Sequence, residues 1–226
     1  MSEENPHGVC TWGDEADCEG CGLDEFLDCR FDSRRIAVFA AIALPAMASA
    51  AVGMALSGYI TGSWTAQFAY MVFVVSFFTV VEALLLCRHC PYYARSGATI
   101  RCHANYGLPR LWRFNPAPMS HLERMGLLLC FGFFGLFPVA VEAGGLFYLL
   151  SSGSALSSTT HLLACVTAAT LGLVLVFFYL LRRLFCPRCV NFSCPLNGAS
   201  SESVEEYLQR NPAMRDAWGR NRPPFS

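Results

Sequence analysis

The residues in this chain best suited to chemistry are its twelve cysteines, ten of which fall in three polar groups. The first is Cys10-x7-Cys18-x2-Cys21-x7-Cys29, four thiols within twenty residues. Its Cys18-Glu-Gly-Cys21-Gly22 has the form of a metal knuckle, in which glycines let the backbone turn so that two thiolates converge on one ion. The second is Cys87-Arg-His-Cys90-Pro91 followed by Cys102-His103, and the third is Cys186-Pro-Arg-Cys189 followed by Cys194-Pro195. Paired Cys-x-x-Cys units with further thiols point to a thiolate-ligated metal. Zinc accepts such sets, with His103 available as a mixed ligand, and is the leading expectation. An iron-sulfur cluster is the alternative, because clusters take four thiolates and often have proline directly after a ligand. Metal-free redox thiols are the third option.

These groups must be held by apolar elements. The chain of 226 residues is 54% hydrophobic and only 15% charged, with a mean hydropathy of +0.39. Soluble domains carry about 25% charged residues, so this composition excludes an ordinary soluble protein. Four apolar runs, at residues 36–60, 66–86, 125–150 and 161–185, are each long enough to cross a hydrocarbon core of about 30 Å at about 1.5 Å per residue. Pro45 and Pro138 lie within the first and third, as bundled helices tolerate. The expected fold is an all-α integral membrane protein with four transmembrane helices and a small cysteine-rich cytosolic cap. Its expected divisions are an N-terminal segment 1–35, a hairpin 36–86, a loop 87–119, a second hairpin 120–185 and a tail 186–226. The N-terminus lacks a basic region followed by an apolar core, so no cleaved signal peptide is expected.

All sixteen basic residues are arginines, and they lie in the N-terminal segment, the central loop with its flanking helix ends, and the tail. The turns at residues 61–65 and 151–160 hold none. By the positive-inside rule both termini and the central loop face the cytosol of a multi-pass cytoplasmic-membrane protein. In that reducing compartment clustered cysteines read as metal or redox sites rather than disulfides. The two Cys-x-x-Cys units follow the second and fourth spans, so both emerge on the same side. If those spans are neighbours, Cys87, Cys90, Cys186 and Cys189 can form one four-thiolate site, with Cys102, His103 and Cys194 completing it or a second.

Two carboxylates fall within spans, where charge is costly and usually marks function. Glu82, about 7 Å in helical rise before Cys87, is expected near the boundary and paired with an arginine. Glu142 lies deeper, four residues after Pro138, whose missing amide hydrogen frees a backbone carbonyl for a polar site. The two differ in depth by about 10 Å, so no carboxylate pair is expected. His121 and His161 sit at span ends, which speaks against a membrane haem, and Cys130 and Cys165 read as packing residues. Residues 107–114, with Arg110, Trp112 and Arg113, mix apolar and cationic side chains as a segment in the headgroup region does; no nucleic acid is expected. Capping boxes at Ser120-His-Leu-Glu123 and Ser203-Val-Glu-Glu206 mark helix starts, and Asn211-Pro212 a further one.

The combination CRHCPYY, RCHANYGLPRLW, NPAPMSHLER and CPRCVNFSCPLN resembles an uncharacterised group of prokaryotic four-span membrane proteins with cysteine-rich cytosolic segments. The resemblance runs from Cys87 through the tail, and it implies the domain limits but no activity. The sequence thus reads as a metal-binding membrane protein rather than an enzyme. An electron-transfer subunit working with quinone or a redox partner is the main alternative, and a thiol oxidoreductase or a transporter are further ones.

Overall fold

The computed structural model describes residues 5–13, 18, 20–154 and 157–220. The Glu19 of the first knuckle lies outside them. The described residues are helical, with one isolated antiparallel bridge between Thr99 and Pro109. Four helices are long and apolar enough to cross a membrane: Ser33–Thr61, Thr65–His89, His121–Ser151 and Ser158–Arg188. We call the first α1 (Ser33–Thr61) and the third α4 (His121–Ser151).

The second and fourth spans end alike. In the second, α2 (Thr65–Ser76) widens into a π turn at Phe77–Val81, resumes as α3 (Glu82–Leu85) and closes on a 3-10 turn at Cys87–His89. In the fourth, α5 (Ser158–Leu180) widens at Leu181–Phe185 and closes on a 3-10 turn at Cys186–Arg188. Such π turns inside helices are rare and concentrate at functional sites. Each here delivers a Cys-x-x-Cys unit.

The capping box at Ser120 is present: Ser120 Oγ accepts from the Glu123 amide at 3.3 Å, and Glu123 accepts from the Ser120 amide at 2.7 Å. The second box starts differently. Helix α6 (Ser201–Arg210) is capped by Ser200, whose side chain accepts from the Ser203 amide, so the helix begins three residues before the sequence signal. Helix α7 (Pro212–Arg220) opens on the proline, as its fixed φ allows.

The chain divides into two compact units. One comprises residues 38–77 and 129–180, the apolar bodies of the long helices. The other gathers residues 1–37, 78–128 and 181–226, and so unites the three cysteine-bearing segments, far apart in sequence, in one body. That body has its own core: Val9, Leu23 and Leu27 from the N-terminal segment, Tyr92, Tyr93 and Ile100 from the central loop, and Val190, Phe192, Tyr207, Met214 and Trp218 from the tail. The amphipathic pair α6 and α7 is therefore a docked element, with Tyr207 fully buried. Burial of this kind, more than helix propensity, holds short helices in place.

Candidate metal centre

Sulfurs of the second and third groups come together. The Cys90 thiol is pushed well up by burial, and the nearby Cys189, Cys102 and Cys87 push it further. Burial and then Cys194 raise Cys189 in the same way, while Cys194 is pushed up to about 12 by burial with Cys186 and Glu82 adding to it. Cys87 lies within electrostatic range of Glu82, Cys102 and Cys194. Six cysteines, Cys87, Cys90, Cys102, Cys186, Cys189 and Cys194, thus share one buried region. Clustered thiols in a poorly solvated place resist ionisation unless a cation neutralises them.

The local backbone is folded around these sulfurs. Cys189 accepts at sulfur from the Asn191 amide at 3.4 Å, and the amides of Tyr92, Ala104 and Leu196 favour the charged forms of Cys90, Cys102 and Cys194. Cys102 accepts a further amide at sulfur, from Asn105 at 3.2 Å, and the Asn197 amide closes onto the Cys194 carbonyl at 3.0 Å. Amide donors aimed at sulfur favour the thiolate form. Between the cysteines, Cys90 N–H donates to Cys87 at 2.9 Å and Cys189 N–H to Cys186 at 3.4 Å, which closes each Cys-x-x-Cys turn.

Asparagines tie the group together, and nothing in the sequence analysis singled them out. The Asn105 side chain donates to Cys87 sulfur at 3.3 Å and also bonds Glu82. Asn191 donates to the Leu86 carbonyl at 3.1 Å, linking the third group to the end of the second span. The only sequence hint was the Asn placed two or three residues after a cysteine. Glu82 itself has no arginine partner among the described residues: it is buried, bonded to Asn105, and its Oε2 has no partner there. The expected interfacial ion pair is replaced by a carboxylate beside the thiols. Arginines of the cysteine-bearing unit serve other neighbours instead. Arg88 pairs with Glu123 at 2.6 Å, and Arg188 holds Asp28 at 3.0 Å and the Glu25 carbonyl at 2.7 Å.

His103 is placed otherwise. Its Nε2 accepts from the Asp32 amide at 2.9 Å and its ring stacks on Phe31 with Tyr92 at its edge. Burial lowers its pKa, so the neutral ring is favoured. Its Nε2 is thus taken by the N-terminal segment.

The four N-terminal cysteines form a second neighbourhood. Cys29 is pushed up to about 12 by burial, with Cys10, Cys21 and Cys18 adding to it. Gly20 and Gly22 flank Cys21 with φ of 76° and 69°, the left-handed backbone that glycine permits, and the Cys21 amide closes onto Cys18 at 3.0 Å. Arg30 donates to Cys18 sulfur at 3.2 Å. From 201 residues away, Asn211 accepts the Cys10 amide at 2.8 Å and donates to Cys10 sulfur at 3.1 Å, while Tyr207 bonds Thr11 at 2.8 Å. Helices α6 and α7 therefore lock onto this group.

The twelve cysteines form no disulfide among the described residues. Nor, among the described residues, do three or more His, Cys, Asp or Glu side chains converge closely enough to hold a single ion. The donor chemistry, cysteines in Cys-x-x-Cys turns, is of the kind a thiolate-ligated metal uses.

The other unit holds Glu142, which is fully buried. Its Oε1 accepts from Thr170 at 3.2 Å, Thr170 bonds Ser49 at 2.9 Å, and Thr167 also reaches the carboxyl. A Cβ on Gly53 would fall 2.3 Å from this carboxyl, so only glycine lets α1 approach so closely. The carbonyl of Phe134 that Pro138 leaves without an intrahelical donor is taken by the Tyr70 hydroxyl at 2.7 Å. Cys130 is half-buried and Cys165 exposed.

Comparison with protein-family models, curated proteins and solved structures returns no match for this chain.

Proposed function

We infer that the chain is a multi-pass protein of the cytoplasmic membrane, both termini cytosolic, whose cysteine-bearing unit is a cytosolic cap organised by thiolate-ligated, zinc-type centres. The arginine distribution supports the orientation. The observation that carries the metal reading is the gathering of six cysteines from two distant segments in one buried region, with backbone amides on the sulfurs of Cys189 at 3.4 Å and Cys102 at 3.2 Å. Such amides stabilise thiolates, the form that binds metal. In the larger group Cys87, Cys90, Cys186 and Cys189 hold the ion, with Cys102 and Cys194 available as replacements or for a second ion. In the smaller group Cys10, Cys18, Cys21 and Cys29 suffice. Binding draws the sulfurs together and releases their protons, so metal affinity becomes folding energy for the cap.

An iron-sulfur centre is the competing occupant, favoured by Cys90-Pro91 and Cys194-Pro195. Anaerobic purification with metal and sulfide analysis and a visible spectrum decides between them. Colourless protein with stoichiometric zinc supports the reading, and brown protein with iron and sulfide overturns it in favour of electron transfer. Protein with no metal and freely alkylated thiols overturns both.

A further inference from the structure

The metal reading leaves Glu142, fully buried in the apolar unit, without a task. It is the only Asp, Glu, Lys or Arg in residues 38–77 and 129–180. The other titratable groups of those segments lie elsewhere. His161, Cys165, Tyr59, Tyr148 and Tyr179 are exposed, and the Tyr70 hydroxyl donates to the Phe134 carbonyl at 2.7 Å. Cys130 is twelve residues earlier on α4, about 18 Å of helical rise away.

The hydrogens around the carboxyl can be followed donor by donor. Thr170 donates to Oε1 at 3.2 Å, which spends its one hydrogen, so Ser49 is the donor in the 2.9 Å bond to Thr170. Thr167 also reaches the carboxyl, but its hydrogen goes to the Leu163 carbonyl at 2.8 Å. Toward Glu142 it has only an oxygen to offer. Oε2 accepts no hydrogen bond among the described residues. An ionised carboxylate placed there would face a lone pair and have few donors in place of water. A proton on Oε2 turns that oxygen into a donor, and the Thr167 oxygen is an acceptor within reach.

On α1, Ser49, Gly53, Ser57 and Thr61 follow one another at four-residue spacing and so share a face. Gly53 lies against the carboxyl, where a Cβ would collide with it, and Ser57 lies against Gly145, three residues after Glu142 on α4. The Ser57 and Thr61 hydroxyls, bonded to the Gly53 and Ser57 carbonyls at 2.9 and 2.8 Å, carry this row to the end of α1.

We propose that Glu142 is an exchangeable proton site inside the membrane bundle, with Oε2 carrying the proton, Thr167 accepting from it, and Thr170, backed by Ser49, holding Oε1. Uptake consumes one proton from water and cancels the carboxylate charge. Release returns that proton to water along the Ser57 and Thr61 row and leaves one negative charge on the chain. A proton suits the place better than a metal cation, because the carboxyl is pressed against the α1 backbone and a hard cation needs several oxygens around it. Such a carboxyl is the kind of group that proton relays and proton-coupled transport use in a membrane.

The test uses the full chain in an uncharged detergent free of carbonyl groups and reads the infrared carbonyl stretch of a protonated carboxylic acid. Wild type shows this band at neutral pH, and Glu142→Gln, which keeps the shape and an acceptor for Thr170, loses it from the difference spectrum. The band shifts on transfer to D2O, fades as pH is raised and returns on reacidification. Thr167→Val keeps the acid but moves the band, because the acid loses its acceptor, and it reads the same site should Glu142→Gln fail to fold. Metal content stays unchanged in both variants, which separates this site from the metal centres. A difference spectrum without the band overturns the proposal, as does a band that ignores D2O, persists at alkaline pH or is unmoved by Thr167→Val. Sodium that abolishes the band at fixed pH also overturns it, since the occupant is then a metal cation.

Discussion

Replacing Asn105 by alanine tests whether the larger sulfur group is a metal site with an organised surround. The residue makes two kinds of contact with sulfur. Its backbone amide donates to Cys102 at 3.2 Å and survives any substitution except proline, whereas its side-chain Nδ2 donates to Cys87 at 3.3 Å and is lost. One hydrogen bond to a charged acceptor contributes about 1.5–3 kcal/mol, and about 1.4 kcal/mol is a factor of ten in affinity. The expected weakening of metal binding is therefore about 10- to 100-fold, the range seen when partners of metal ligands are removed. Asn105→Ala also strips Glu82 of its bonded partner, and that carboxylate has one oxygen without a partner already. The double variant Asn105→Ala, Glu82→Gln separates the two effects, since a neutral amide removes the repulsion on neighbouring thiolates and recovers part of the loss. The assay is competition between the purified protein and a chromophoric chelator. Asn105→Ala with wild-type affinity refutes the reasoning, because Cys87 would then not be a ligand whose charge the asparagine stabilises.

Asn211→Ala removes the bonds to the Cys10 amide and sulfur together, and hydrogen exchange should show α6 and α7 opening at least about fivefold more often, corresponding to about 1–3 kcal/mol for buried groups left unpaired. Chelator treatment should expose the Cys87, Cys90, Cys186 and Cys189 thiols to alkylation, which are protected beforehand; full reactivity without chelator contradicts a metal-bound resting state. Gly53→Ala sets a methyl 2.3 Å from the Glu142 carboxyl and should lower stability in detergent by about 1–3 kcal/mol, with most of the loss recovered in Gly53→Ala, Glu142→Ala; strictly additive losses would mean the two do not touch. Tyr70→Phe frees the Phe134 carbonyl and should cost about 1 kcal/mol, and less than that when Pro138→Ala restores an amide donor to the helix.

What was legible in the sequence is what local physics decides. Apolar length gave four long helices within a few residues of their ends, and the Ser120 box was recognisable because both its partners lie within one helical turn. Glycines beside Cys21 announced their turn for the same reason. The π turns were invisible, since neither Phe77–Val81 nor Leu181–Phe185 contains a residue such as proline or glycine that would mark a break in the helix. The placement of Ser200 rather than Ser203 as the cap turned on a choice between nearby serines that the hydrophobic face of α6 decides, through Val204, Tyr207 and Leu208.

The asparagines mark the deeper limit. Asn211 reads in sequence only as a helix start, and Asn105 and Asn191 carry no signal of a distant role, because a short amide side chain usually bonds its own backbone. Here they bond partners 18, 105 and 201 residues away. An amide is suited to that task because it donates and accepts at once without carrying charge. Asn211 does both toward Cys10, accepting from its amide and donating to its sulfur. A lysine or arginine there would neutralise a thiolate and compete with a metal for it, whereas an amide stabilises the thiolate and leaves its charge for the ion. Neutral amides thus reach sulfurs of both groups, alongside the charged donor Arg30 at Cys18, which is why removing a single asparagine is expected to be felt at a sulfur far along the chain.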